Sequence, residues 1–279
     1  MNIEHNLLPK QKRRSYNANV TIDLYPYATV LWNELNNLGI IDRMKDVPQL
    51  GVIKVNKALE KSRYDYAILQ LYFHQIVRKN LKDKLELTYN NGANSDELYY
   101  QFTYPDNVSK PTIMDLLQLF TIAYNIGHFY NTFVSSRAAV MLAKENESFK
   151  NIILNSSICE NFRTEANRLL NDENYYRFHL INSLLVLEKC ESSFPITLTK
   201  QLIYSYLNIS ALPNKSKLHY VFRLFRAIRD VAYISYDLQI ASIPLTLDIV
   251  NEKQLTLFFG ELLSEYNDKT SMRQLSLIH

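Results

Sequence analysis

The sequence predicts an all-α fold, a bundle of helices carrying one small β-hairpin insertion. Three observations lead there. The chain has only 5 Gly against 20 Tyr and 13 Phe, which suits packed helices with amphipathic aromatic edges better than a turn-rich β protein. Apolar residues recur at helical spacing through most of the length. Helix-start signals, Pro in a first turn and Ser or Thr as caps, stand where the apolar runs begin. At 279 residues, 47% hydrophobic and 21% charged, the chain is long enough to bury a sizeable core.

Residues 1–20 are polar and carry the basic run Lys10, Lys12, Arg13 and Arg14. No apolar core follows that run, so it does not read as a secretory signal. A solvated N-terminal arm is expected there, then a single domain over residues 21–268 and a fraying tail over 269–279. Residues 26–38 form a first helix. Pro26 suits its first turn, Ala28, Leu31, Trp32, Leu35 and Leu38 share a face, and Gly39 can close it. A short connecting segment follows.

Residues 62–80 form the second strong helix, with Ser62 as cap and Asp65 completing a rough capping box. Over residues 85–104 the period changes. Leu85, Leu87 and Tyr89 alternate, Asn90-Asn91-Gly92 supplies a turn, and Leu98, Tyr100, Phe102 and Tyr104 alternate again; this predicts the hairpin. Thr112 caps a central helix that runs to Asn125. Further helices are expected over about 129–143, 145–156, 159–170, 175–189 and 197–207. Residues 217–239 carry the longest helical pattern, Pro244 stops it, and 251–266 form a last amphipathic helix.

The formal net charge of +3 is too small to call for a nucleic-acid or membrane partner. No apolar run approaches the ~18 residues of a membrane span. Cys159 and Cys190 stand apart, as buried thiols in a reducing compartment do, so a cytoplasmic location is expected. There is no phosphate-binding glycine loop, dinucleotide fingerprint, nucleophile elbow or zinc-finger spacing.

Four stretches, in order, carry a resemblance. They are Ile40-Ile41-Asp42-Arg43 with Gln49-Leu50-Gly51, then Ser62-Arg63-Tyr64-Asp65-Tyr66-Ala67-Ile68, then Ala123-Tyr124-Asn125-Ile126-Gly127-His128-Phe129-Tyr130, then Arg229-Asp230-Val231-Ala232-Tyr233. Together they resemble the deoxynucleoside triphosphate triphosphohydrolase branch of the HD superfamily of metal-dependent phosphohydrolases. The resemblance implies an HD-domain-like helical bundle and a link to nucleotides. Members bind a divalent metal through a first His, a His-Asp pair and a final Asp. The matching positions here are Tyr66, Tyr124, Asn125 and Asp230. A neutral phenol is a poor metal donor, and Asn offers a carbonyl where a cation wants imidazole or carboxylate. With these departures the resemblance implies no metal, no cofactor and no catalytic residues. It leaves a degenerate pocket of Tyr66, Tyr124, Asn125, His128 and Asp230.

On a helical wheel of residues 217–239, His219, Arg223, Arg226, Tyr233 and Asp237 fall within about 60° of Asp230. Val221, Leu224, Phe225, Ile228, Val231 and Ala232 lie opposite. The stripe reads either as a solvated face with ion pairs such as Arg226–Asp230 or as a wall where Arg223, Arg226 and Tyr233 hold a phosphorylated ligand. His5, His74, His179 and His279 show no metal spacing.

The leading expectation is a catalytically inactive HD-like protein. It would bind a nucleotide or phosphorylated ligand, or pair with itself or a protein partner. One alternative is an active nucleotide phosphohydrolase using Asp230, His128, relocated ligands and a divalent metal. Another is a helical scaffold unrelated to HD proteins, in which Tyr66, Asn125 and Asp230 lie far apart.

Overall fold

A computed structural model describes residues 1–7, 18–49, 61–87, 109–155, 160–171, 175–209, 217–240 and 251–267. The fold is all-α with one small antiparallel β-hairpin. That hairpin stands at the N-terminus. Strand β1 (Asn2–Asn6) pairs with β2 (Asn19–Asp23), Asn2 opposite Asp23 and Asn6 opposite Asn19. The solvated arm is thus corrected over its first residues. Ile3, Leu7, Ala18, Ile22 and Leu24 are buried, and hiding them outweighs the polar neighbours that suggested an arm. The basic run of residues 10–14 lies outside the described residues. Lys61 Nζ donates to the Leu7 carbonyl at 3.0 Å, and His5 Nε2 sits 2.9 Å from Asp65 Oδ1, so β1 is tied to the helix behind it.

Helix α1 (Pro26–Asn37) begins on Pro26 and ends at Leu38. Gly39, at φ 71°, donates to the Asn36 carbonyl at 2.9 Å and accepts from Arg43 at 3.0 Å. One left-handed residue therefore closes α1 and opens α2 (Ile40–Asp46). Helix α2 falls in the stretch read as a connector; at seven residues it is too short for its period to stand out.

Helix α3 (Arg63–Leu85) has the full capping box. Ser62 Oγ accepts from Asp65 N at 3.1 Å, and Asp65 Oδ2 accepts from Ser62 N at 2.9 Å. The helix is irregular at Leu81 (φ −124°, ψ 26°) and resumes to Leu85, which is buried. Leu85 is therefore helical and not the start of the expected hairpin, because it faces the core at the spacing of Leu81 and Val77. Residues 88–104 of that expectation lie outside the described residues, as does Cys159.

Helix α4 (Ile113–Ile126) is the axis of the molecule. Thr112 and Asp115 form a second capping box, at 3.1 and 2.9 Å. Every residue from Ile113 to Ala123 is buried, and α1 and α3 pack against it. So do α8 (Phe178–Leu187), α9 (Phe194–Leu207) and α10 (Lys217–Ile240). Phe120 meets Tyr206, Phe222 and Phe225 with ring centroids 4.8 to 4.9 Å apart. Outside this core run α5 (Thr132–Glu145), α6 (Glu147–Asn155), α7 (Glu160–Asn171) and a 3-10 turn at Tyr175–Arg177. Helix α11 (Glu252–Asn267) covers α3. Among the described residues, no helix is long and apolar enough to cross a membrane.

The C-terminus of α4 and α8 approach each other at Gly127. A Cβ there would lie 1.9 Å from the His179 carbonyl oxygen and 2.6 Å from Ser183 N. Nothing smaller than backbone could yield. At Gly39 a Cβ meets nothing within 4 Å, so only the left-handed backbone resists substitution. Gly127→Ala should therefore destabilise by about 3 kcal/mol or more through overpacking, and Gly39→Ala by only ~1 to 2 kcal/mol. Urea unfolding of the two variants checks the order; equal losses would contradict the close approach.

Candidate functional site

The residues singled out by sequence meet around one that was not. Arg229, on α10, donates from NH1 to Tyr124 Oη at 3.2 Å. Its Nε and NH2 donate to Asp230 Oδ1 at 3.0 and 2.8 Å. Its own carbonyl accepts from Tyr66 Oη at 2.9 Å. So α3, α4 and α10 each send one of the expected pocket residues to Arg229. Burial alone would make its charge costly, but Tyr124 and Asp230 outweigh that and hold the guanidinium cationic. Tyr66 is buried, and burial pushes its phenol up, well out of reach of ionisation.

Asn125 turns back along its helix. Its Nδ2 donates to the Thr121 carbonyl at 2.9 Å, and its buried Oδ1 meets no partner among the described residues. His128 lies beside Tyr124, with ring centroids 6.2 Å apart, and stacks on His179 at 4.2 Å with the rings 8° from parallel. Both nitrogens of His128 are buried and meet no partner among the described residues. His179 Nδ1 is 2.7 Å from the Tyr176 carbonyl. A carbonyl only accepts, so Nδ1 carries the proton and Nε2 presents a lone pair.

Two further arginines brace this corner. Arg43 donates to the His128 carbonyl at 2.9 Å and to the Ile126 carbonyl, holding the last turn of α4. Arg63 is buried and donates to the Gln49 carbonyl at 3.2 Å. Its charge reaches Tyr124, His128 and His179. Among the described residues, the corner gathers the guanidinium groups of Arg43, Arg63 and Arg229 with the carboxylate of Asp230.

As a donor set these residues do not suit a divalent cation. Two are neutral phenols and one is an amide. The single carboxylate is already bridged by a guanidinium, whose charge repels a metal. Among the described residues no three His, Cys, Asp or Glu side chains come together as a metal site requires.

Helix α10 keeps the wheel read from sequence. Val221, Leu224, Phe225, Ile228 and Ala232 are buried, while His219, Arg223 and Arg226 are half-buried and Tyr233 is exposed. Asp230 pairs with Arg229 rather than Arg226. Arg226 instead lies over the Tyr206 ring, 5.4 Å from its centroid. Burial, with Arg223 and Arg226 alongside, lowers the pKa of His219. The edge of Tyr233 meets Tyr66 at 6.3 Å.

A surface cleft of about 620 Å³ opens elsewhere, between β2, α3 and α11, beside Arg78, Lys79 and Glu252. Arg78 pairs with Glu86 and Lys79 with Glu252.

Three buried histidines fix how the fold answers to acid. Burial pushes His74 down to about 3. Burial, opposed by the Tyr176 carbonyl and aided by Arg63 and Arg229, takes His179 to about 3. Burial, with Arg63, His179 and Arg43 adding to it, holds His128 well below the usual range. Unfolded, all three titrate near ~6.5. Below that pH the unfolded chain takes up protons that the fold refuses. Their stabilising effect is complete above ~6.5 and falls as the pH drops towards ~3, by up to ~1.4 kcal/mol per pH unit for each group. The urea midpoint should fall steadily from pH ~7 to ~4.5, and His74→Gln should reduce that slope by about one proton. A slope unchanged in the variant would contradict a neutral, buried His74.

Comparison of the chain with family models, with curated proteins and with solved structures finds no match.

Proposed function

We propose that this chain is a non-hydrolytic HD-type binding module in which Arg229 supplies the positive charge that a metal supplies in hydrolytic members. In this reading Arg223 and Arg226 on α10 hold the phosphate of a nucleotide or another phosphorylated ligand, with Tyr233 at the edge to stack a base. A cytoplasmic setting belongs to the same proposal.

The observation that carries it is the convergence on Arg229. Tyr66, Tyr124 and Asp230 come from distant parts of the chain and occupy the positions that the resemblance assigns to metal ligands. All three make hydrogen bonds to Arg229. A hydrolase that used Asp230 would first have to displace the Arg229 guanidinium from it. The guanidinium of Arg229 at this corner opposes a cation there.

Calorimetry with nucleoside triphosphates should show binding that Arg226→Ala weakens by roughly tenfold or more, the worth of a charged hydrogen bond. No heat with any nucleotide would contradict the ligand reading. Incubation of nucleotides with the protein and Mn²⁺, Mg²⁺, Ni²⁺ or Fe²⁺ should release no phosphate above the blank. Stoichiometric metal that is lost in Asp230→Asn would overturn the non-hydrolytic reading.

A further inference from the structure

The cleft between β2, α3 and α11 holds an arginine that is anchored but only partly used. Gln75, Arg78, Lys79 and Lys82 line it as one stripe along α3, at the i, i+3, i+4 and i+7 positions. Arg78 Nε donates to Glu86 Oε1 at 2.5 Å. The same oxygen accepts from Tyr25 Oη at 2.6 Å, and Arg78 Cζ lies over the Tyr25 ring, 5.6 Å from its centroid. Glu86 and Tyr25 thus anchor the guanidinium through its Nε side. Among the described residues, its two terminal amino groups make no hydrogen bond. Lys82, one turn further on, is exposed and forms no salt bridge among the described residues. The buried side chains of Tyr72 and Met114 give the cleft an apolar floor. Gln75 Nε2 donates to the Thr21 carbonyl at 3.3 Å and joins its two walls. Its volume of about 620 Å³ lies in the range of small-molecule sites.

We propose that this cleft binds a small organic acid, with its carboxylate on the terminal amino groups of Arg78, Lys82 beside it, and its apolar body on Tyr72 and Met114. A guanidinium presents parallel N–H donors that the two oxygens of a carboxylate match. The other charges select a single negative charge. Asp23 and Glu252 line the same cleft, and Glu86 and Glu252 already partner Arg78 and Lys79. A polyphosphate would crowd those carboxylates, whereas a monoanion adds one charge beside Lys82. A neutral ligand would forgo both cations. Among the described residues, none on α10 lines the cleft, so this site is independent of the nucleotide reading.

Fluorescence titration of the full chain with 2-naphthoate, 2-naphthol and 2-naphthyl phosphate at neutral pH tests it. 2-Naphthoate should bind one to one, with a Kd of about 1 mM or tighter. The neutral 2-naphthol should bind about tenfold more weakly, and the doubly charged 2-naphthyl phosphate should also bind more weakly. Arg78→Gln should weaken 2-naphthoate by about tenfold, as loss of a charged hydrogen bond does. Lys82→Glu should weaken it by about threefold or more while leaving the circular dichroism melt unchanged, which separates a binding loss from a folding one. No saturable binding of 2-naphthoate up to about 10 mM overturns the proposal. So does binding that Lys82→Glu leaves intact. A 2-naphthol or 2-naphthyl phosphate that binds as tightly as 2-naphthoate overturns it as well, since the cleft would then be reading the ring alone or a higher charge.

Discussion

The whole arrangement depends on one helix being buried on every side. α4 has no solvent face along its first ten residues, so each polar group on it must be answered from within the protein. Asp115 is answered by Thr112. Gln118 accepts from Tyr25 N at 2.8 Å and donates to the Asp23 carbonyl at 2.9 Å, tying the hairpin and α1 to the core. Thr121 meets His74 at 3.2 Å. Ser183 reaches across from α8 to the Ala123 carbonyl at 2.7 Å. This accounting falls short at Asp115 Oδ1 and, more densely, at the C-terminal end, where Asn125 Oδ1, both nitrogens of His128 and His179 Nε2 have no partner among the described residues. Polar capacity is left over where the sequence motif ends and where α8 comes closest.

Charge makes that end different from the rest of the core. Arg43 and Arg63 donate to backbone carbonyls, which steadies the local chain. Arg229 meets the carboxylate of Asp230, whose side chain is 48% exposed, so water screens the pair. Burial, with Arg63 adding to it, keeps His128 and His179 neutral and leaves them able to accept hydrogen bonds. The tyrosines fit this balance, since a phenol adds bulk and one hydrogen bond without adding negative charge.

Much of this was legible in the sequence because it is local. The caps at Ser62 and Thr112, the Pro26 start, the Gly39 stop and the two faces of α10 are each set by residues within a few positions of one another. What was not legible depends on distant partners. The strand of residues 2–6 is mostly polar, and only its pairing with residues 19–23 gives it a reason to be extended. Leu85 and Leu87 alternate as a strand would, yet α3 continues because Leu85 has a core to face. Arg229 lies about 100° off the polar stripe, at the border of the buried face, so the wheel alone assigns it to neither. Its place beside an Asp in a motif was a signal, but its role depends on Tyr124 lying opposite. His179 escaped notice for the same reason: its stacking on His128 joins residues 51 positions apart. The sequence singled out Tyr66, Tyr124 and Asp230; only the fold brought Arg229 among them.

The most direct test of this account is a double-mutant cycle joining Tyr124→Phe and Arg229→Met, read by urea unfolding. If the guanidinium is held by the phenol across the gap between α4 and α10, the two losses will be non-additive by ~1 to 2 kcal/mol, as a partly buried hydrogen bond to a charged group gives. Additivity to within ~0.3 kcal/mol would mean that Arg229 does not organise the pocket.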